Sequence, residues 1–303
     1  MKKLFLVLAI LTFSGVPAFA AEPLPVVASF SILGDMVQQI GGPDVTVETL
    51  VGPNGDTHVY EPTPADAKTL AGAKILFVSG LGFEGWMPRL ASASGFKGKT
   101  VVASEGVKPR QMKTEEKSKE AQSGTEIIDP HAWQDLSNGL IYVHNIARAL
   151  EEALPEKASN IETRAKVYEG QIKALDGRIR QEFAAIPAGK RRIITSHDAF
   201  GYFGDAYGIE FLAPAGLSTE AEPSAAAFAK LIGQMKQEGI KIVFLENMTS
   251  PRLAQQLVKE GGAKLGEELY SDALSEPDGP APTYLAMFEN NVPKLEAAMK
   301  DNR

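Results

Sequence analysis

The chain of 303 residues reads as an α/β protein of two similar lobes, each a parallel sheet flanked by helices, joined by one long rigid helix. Three observations lead there. Short β-branched runs alternate with helical patterns in both halves. Both halves place Glu-Pro-Thr or Glu-Pro-Ser six residues after a Gly (Gly55 to Glu61, Gly216 to Glu222), ahead of a helix that runs into an apolar strand. Between the halves lies a single long amphipathic segment.

Taken in order, Lys2 and Lys3, the apolar run Leu4 to Phe13, Pro17 and then Ala18-Phe19-Ala20 have the layout of a secretory signal peptide over residues 1–20, cleaved before Ala21. Residues 21–154 are expected to form the N-terminal lobe. Pro25 to Phe30 is a strand feeding a helix from Ser31 to Ile40, stopped by Gly41-Gly42. Thr46 to Val51 is the next strand and Gly52 to Gly55 a turn. Thr63 then caps, and Pro64 opens, a helix over Ala65 to Leu70 that leads into the strand Lys74 to Val78. Lys108 to Gly124, within the span 108–124, has almost no apolar side chains and is expected to be a solvated, mobile loop. A helical run follows from Leu140 to Leu154.

The connecting helix, residues 155–187, carries Ile161, Ala165, Tyr168, Ile172, Leu175, Ile179, Phe183 and Ile186 at steps of three and four, which makes one buried stripe. From Glu156 to Ile186 it would reach about 45 Å at the α-helical rise, enough to run the height of both lobes and limit hinging. Residues 188–303 form the C-terminal lobe, with strands Arg192 to Thr195, Ile209 to Ala213 and Ile242 to Leu245, and helices around Phe200 to Tyr207 and from Ala225.

Composition removes several function classes. With 31 Lys and Arg against 38 Asp and Glu, the net charge of −7 disfavours a nucleic-acid partner. Beyond the leader no stretch of about 18 apolar residues is present to span a membrane. The absence of Cys excludes a disulfide framework, a thiolate metal site and a lipid-acceptor Cys. A soluble periplasmic protein that is not a lipoprotein is therefore expected.

Four His are informative by position. His58 lies in Gly55-Asp56-Thr57-His58-Val59-Tyr60-Glu61, His131 in Asp129-Pro130-His131-Ala132-Trp133, and His197 in Thr195-Ser196-His197-Asp198, each at a loop or strand end where open α/β folds assemble ligand sites. His144 falls inside a helical run and is given a structural role. A single His is most often a surface or satisfied core side chain; three at matching places in a Cys-free chain point to a metal, since three imidazoles and a carboxylate can close a tetrahedral zinc shell. Asp272 and Glu246, each after a late strand, are the rivals for the fourth position.

Two other patterns carry less. Gly80-Leu81-Gly82-Phe83-Glu84-Gly85 matches a dinucleotide-binding fingerprint, with Glu105 near the place of the ribose acid, but Pro88 is expected to interrupt the start of the helix that motif needs. Ser196-His197-Asp198 names the members of a hydrolytic triad, yet adjacent residues seldom face one another in that geometry.

The segments GDTHVYEPTPAD, DPHAWQD, TSHDAFGYF and LYSDALS, with the leader and the central helix, closely resemble the metal-binding substrate-binding proteins of zinc and manganese ABC importers, the cluster A-I family. The resemblance covers essentially the whole chain after the leader. It implies that His58 and His131 bind metal from the N-terminal lobe and His197 and Asp272 from the C-terminal lobe. It also implies Zn2+ as cargo, because His rather than Glu stands at the third position, with Mn2+ the alternative. The partners implied are an ABC permease with its separate ATPase; a periplasmic metallochaperone docking at the mobile loop and a monomeric state are further expectations. The loop lacks the His-rich stretch that many zinc members carry. A non-enzymatic carrier is expected, with release through movement of the Asp272 segment or the mobile loop. A zinc-dependent hydrolase built on the three His, and an adhesin, are the rival functions.

Overall fold

A computed structural model describes residues 22–111, 128–214, 216, 219 and 225–302. The leader, most of the 108–124 loop and the second Glu-Pro-Ser lie outside the described residues. Strand β1 (Leu24–Phe30) passes without a turn into helix α1 (Ser31–Gly41), and β1 is buried from Val26 onward because the sheet is covered on both faces. Strands β2 (Val45–Val51), β3 (Ile75–Val78) and β4 (Lys99–Val102) complete a parallel sheet in the order β2-β1-β3-β4. Val26 stands opposite both Val47 and Ile75.

Helices α2 (Pro64–Gly72) and α3 (Met87–Ser94) make the crossovers, and α4 (Leu136–Ala153) leads out of the lobe. Thr63 caps α2 through a reciprocal pair with Asp66, with Pro64 at the first helical position as its sequence requires. Pro88 also lies in the first turn of its helix, α3, where a missing N–H costs nothing; it does not interrupt that helix as expected.

The linker helix α5 (Ala158–Ala184) is 27 residues, about 40 Å, and buries the stripe Ile161 to Phe183 in the expected register. It packs on α1, α4, α6 (Gly201–Tyr207) and α9 (Tyr284–Asp301), elements of both halves. Arg164 on α5 donates to the last carbonyls of α1, at Ile40 and Gly41, and pairs with Asp44, so the linker caps the helix it packs against.

The second half repeats the grammar. Strands β5 (Arg192–Ile194), β6 (Glu210–Leu212), β7 (Ile242–Val243) and β8 (Lys264–Leu265) form a parallel sheet ordered β6-β5-β7-β8, the same order as the first, with α7 (Ala225–Glu238) and α8 (Pro251–Gly261) as crossovers. The internal repeat read from the spacing is thus a repeat of topology. In each sheet the strand order reverses beside the first strand, which opens a crevice at the carboxyl strand ends where ligands of such folds bind.

No described helix is long and apolar enough to cross a membrane. Replacing Ile172, fully buried at the middle of the α5 stripe, with Ala is expected to cost about 2–5 kcal/mol of stability in urea unfolding, because α5 is the shared core of both lobes.

Candidate metal centre

His58, His131, His197 and Asp272 converge, with one ligand atom from each lying within 4.8 Å of the others. They arrive from four carboxyl-end segments: after β2, before α4, after β5, and after Leu269, which bridges Glu246 in parallel. The atoms that face one another are ring Nε2 atoms and one carboxylate oxygen. His58 Nε2 stands 3.2 Å from His131 Nε2, and Asp272 Oδ2 stands 3.1 Å from both His58 and His197 Nε2 and 3.6 Å from His131 Nε2.

Local sequence explains the approach of two of the rings. Asp56 and Asp129 each stand two residues before a His and accept its backbone N–H, at 2.9 and 3.0 Å, in short turns that fold the loop back on itself. Asp129 Oδ1 also lies 2.8 Å from His131 Nδ1. Glu246 Oε2 lies 2.6 Å from His197 Nδ1, while its Oε1 accepts from the backbone of Ser196 and His197 and from the Ser196 hydroxyl. The Asp129 carboxylate behind His131 takes the Nδ1–H, so that the neutral ring points its Nε2 lone pair inward, and Glu246 faces His197 from behind as an ion-pair partner. Glu246, the rival fourth ligand, therefore stands behind His197, and Asp272 is the carboxylate in front.

Phe83, Trp133 and the His rings pack edge to face, with ring centroids 5.0 Å apart for His58 and Phe83 and 5.5 Å for His131 and Trp133. The apolar wall sharpens the electrostatics. Burial pulls the His131 pKa down, but the Asp272 and Asp129 carboxylates overcome it and raise it to about 9. His197 is likewise raised well above the ordinary imidazole value: Glu246 and Asp272 outweigh its burial. Burial pushes the Asp272 carboxyl up, yet His131 and His197 hold it well below the usual carboxylate range. Of the three rings only His58 is lowered, chiefly by desolvation.

The donor set suits a cation. Asp272 Oδ1 is buried without a hydrogen-bond partner among the described residues, and two Nε2 atoms 3.2 Å apart can share at most one proton.

The Asp272 segment is tied at every residue around the carboxylate. Asn291 brackets Tyr270, donating to its carbonyl at 2.6 Å and accepting its N–H. Trp133 Nε1 and Gln134 Nε2 both donate to Ser271 O. Asn247 reaches Ala273 O, Leu274 N donates to Ser31 Oγ, and Asn54 N donates to Leu274 O. Moving this segment would break bonds to both lobes, which counts against it as the part that moves on release.

The other expected features fall away from the centre. His144 is exposed on α4 rather than structural. The glycine turn has Gly80 and Gly82 at φ 90° and 85°, and a Cβ on Gly80 would meet Val102 at 2.5 Å. Its free N–H groups, at Ser79 and Gly80, are taken by the buried Glu84 carboxylate, which also accepts from Ser29 Oγ, so an internal anion fills the place where a phosphate would sit. Ser196 Oγ bonds Glu246 and not His197, so no Ser-His-Asp relay exists there. Asp129, Asp56 and the backing role of Glu246 were missed, although a carboxylate two residues before each of two His was a signal for them.

Comparison with known proteins places these observations. A model of the zinc-uptake complex component A family, periplasmic, matches residues 26–298. The chain is 33% identical over 276 residues to the iron-binding protein YfeA of Yersinia pestis, covering 91% of this chain and 86% of that protein. It is 31% identical to the manganese-binding lipoprotein MntA of Bacillus subtilis, covering 93% and 91% of the two. Among solved structures, the periplasmic zinc-binding protein TroA of Treponema pallidum superposes with a TM-score of 0.84 at 29% identity, over 91% of this chain and 99% of that one. The manganese-bound periplasmic metal-binding protein of Candidatus Liberibacter asiaticus gives 0.79 at 30%, over the same shares. That relatives are named lipoproteins stands against the expectation of an unanchored protein, which rested on the lack of Cys.

Because the folded value of His131 lies above the roughly 6.5 of a free imidazole, its pairing stabilises the metal-free protein fully below that pH and is lost as pH rises through about 9, and His197, raised in the same direction, adds to the loss as it deprotonates. The Tm of the demetallated protein is expected to fall between pH 6.5 and 9; a flat profile would mean the rings are not paired as described.

Proposed function

This chain belongs to the family of zinc-uptake component A proteins, extracytoplasmic metal-binding components of ABC importers, and we propose that its own cargo is zinc, held by His58, His131, His197 and Asp272. The permease and ATPase that this family serves supply the passage and the energy. The observation that carries the zinc reading is the donor set: three Nε2 atoms and one carboxylate oxygen facing a common point. Imidazole-rich, four-ligand shells suit zinc, whereas manganese is better served by more oxygen donors and a larger coordination number.

Capture follows from the charges. In the metal-free centre the surrounding carboxylates shift His131 and His197 toward their protonated forms against an ionised Asp272. A divalent cation that displaces two protons leaves the net charge of the buried site unchanged, so the exchange avoids the cost of adding charge to a low-dielectric space. His58 is the natural first contact: its ring is held neutral, its side chain is 7% exposed where the other three ligands are nearly or fully closed off, and Val59 beside it is exposed. Acidification returns the protons and weakens binding.

The same centre argues for a carrier over the zinc-dependent hydrolase. Glu246 is engaged by Ser196 and His197 and cannot serve as a base toward a metal-bound water, and Asp272 faces all three rings. The four residues converge without a second subunit, so a monomer would suffice as the carrier. Docking of a metallochaperone at 108–124 concerns residues that are mostly outside those described.

Titration of the demetallated protein with zinc and manganese in competition with a chelator tests this. One tight zinc equivalent is expected, with manganese weaker and zinc affinity reduced at least about 100-fold in Asp272→Ala. Equal affinity in that variant, or manganese binding as tightly as zinc, would refute the assignment.

A further inference from the structure

Behind His131 the structure holds a second junction between the lobes. Asp129 engages His131 through Oδ1 alone, and its other oxygen, Oδ2, accepts from Arg110 Nη1 at 3.1 Å. The same guanidinium donates through Nε to Asp205 Oδ2, on α6 of the other lobe, at 2.8 Å. Arg110 is bound by its backbone as well: its N–H donates to the Tyr202 hydroxyl on α6 at 2.8 Å, and its carbonyl accepts from Asp129 N. One residue thus connects the carboxylate that orients a ligand of the first lobe to a helix of the second.

The fit is close. A Cβ on Gly201, the first residue of α6, would stand 2.2 Å from Arg110 Nη1 and 2.6 Å from Asp129 Oδ2, so the absence of a side chain there admits the pair. Asp129 is fully buried, and its second oxygen needs a cation because an unpaired buried carboxylate is costly. Asp205 is 70% exposed, so the other half of the bridge lies at the wet edge, where it can break without disturbing the core.

We propose that Arg110 is an interlobe latch, a positioning residue that couples closure of the two lobes to the hold on metal at His131. This rests on the reading of His131 as a metal ligand. When α6 moves away from the first lobe, Asp205 and Tyr202 draw Arg110 off Asp129, and the His131 ring loses the fixed partner that aims its Nε2. Metal held at His131 does the reverse, keeping Asp129 in place to receive the guanidinium. The tied Asp272 segment is then the fixed side of the centre and the Arg110 junction the side that opens.

The test is the rate of zinc release into excess chelator, followed by tryptophan fluorescence in a Trp86→Phe background that leaves Trp133 beside His131 as the reporter, for the exported protein and its Arg110→Gln, Asp205→Asn and double variants. Arg110→Gln is expected to release zinc about tenfold faster with its association rate nearly unchanged. Asp205→Asn should release it faster by a smaller factor, and the double variant no faster than Arg110→Gln. Added salt should speed release from the unmodified protein and leave Arg110→Gln unaffected. Release at the unmodified rate in Arg110→Gln, or effects that multiply in the double variant, would overturn the latch. If Arg110→Gln does not fold, Asp205→Asn decides: faster release that no longer responds to salt supports the latch, and unmodified behaviour overturns it. His131→Ala, run alongside, separates the two readings. If it binds zinc with unmodified affinity, the metal centre and the latch fall together; if its affinity drops while the Arg110 and Asp205 variants behave as the unmodified protein does, the latch alone falls.

Discussion

Three imidazoles and a carboxylate brought within 4.8 Å of one another in a buried space cannot rest there without positive charge between them. In the metal-free protein Asp272 in front and Asp129 and Glu246 behind favour the protonated forms of His131 and His197. On the proposed reading, a bound dication takes over that positive charge. The surrounding structure serves this constraint: twin sheets of the same strand order turn their carboxyl ends to one cleft, short Asp turns aim two of the loops, and Asp129 and Glu246 stand behind two of the rings.

Rigidity is the second requirement, since ligands drawn from two lobes define a shell only if the lobes keep their spacing. Helix α5 supplies it along the length of the molecule, and α9 adds to it from the other side. Tyr284, at the start of α9, is buried and donates to Trp133 O at 2.6 Å while its N–H bonds Asp35 on α1. The Asp272 segment is bound to both halves at once. A molecule built this way has little room for wide hinging, and small separations at junctions such as Arg110 with Asp205 become the means by which the shell loosens.

Much of this could be read from residue order. The α5 stripe from Ile161 to Phe183 declared itself by period, Thr63 and Pro64 by capping chemistry, and the three site histidines by their places at strand ends. The elements that went unread are those whose local signal is weak. β4 is an edge strand with only Val101 buried, β8 is two exposed residues, and α9 carries Pro293 inside it. Their positions are set by tertiary packing, which overrides propensity. The choice between Asp272 and Glu246 is likewise beyond spacing, because both follow late strands; only the structure shows that Asp272 faces the His197 Nε2 and Glu246 its Nδ1.

X-ray absorption at the zinc edge of the loaded protein measures the shell itself. Four light donors near 2.0–2.1 Å with the outer scattering of three imidazoles, and two after His131→Ala, are expected from the arrangement of His58, His131, His197 and Asp272. A five- or six-coordinate spectrum with fewer than three imidazoles, or one unchanged by His131→Ala, would contradict a closed carrier shell at this centre.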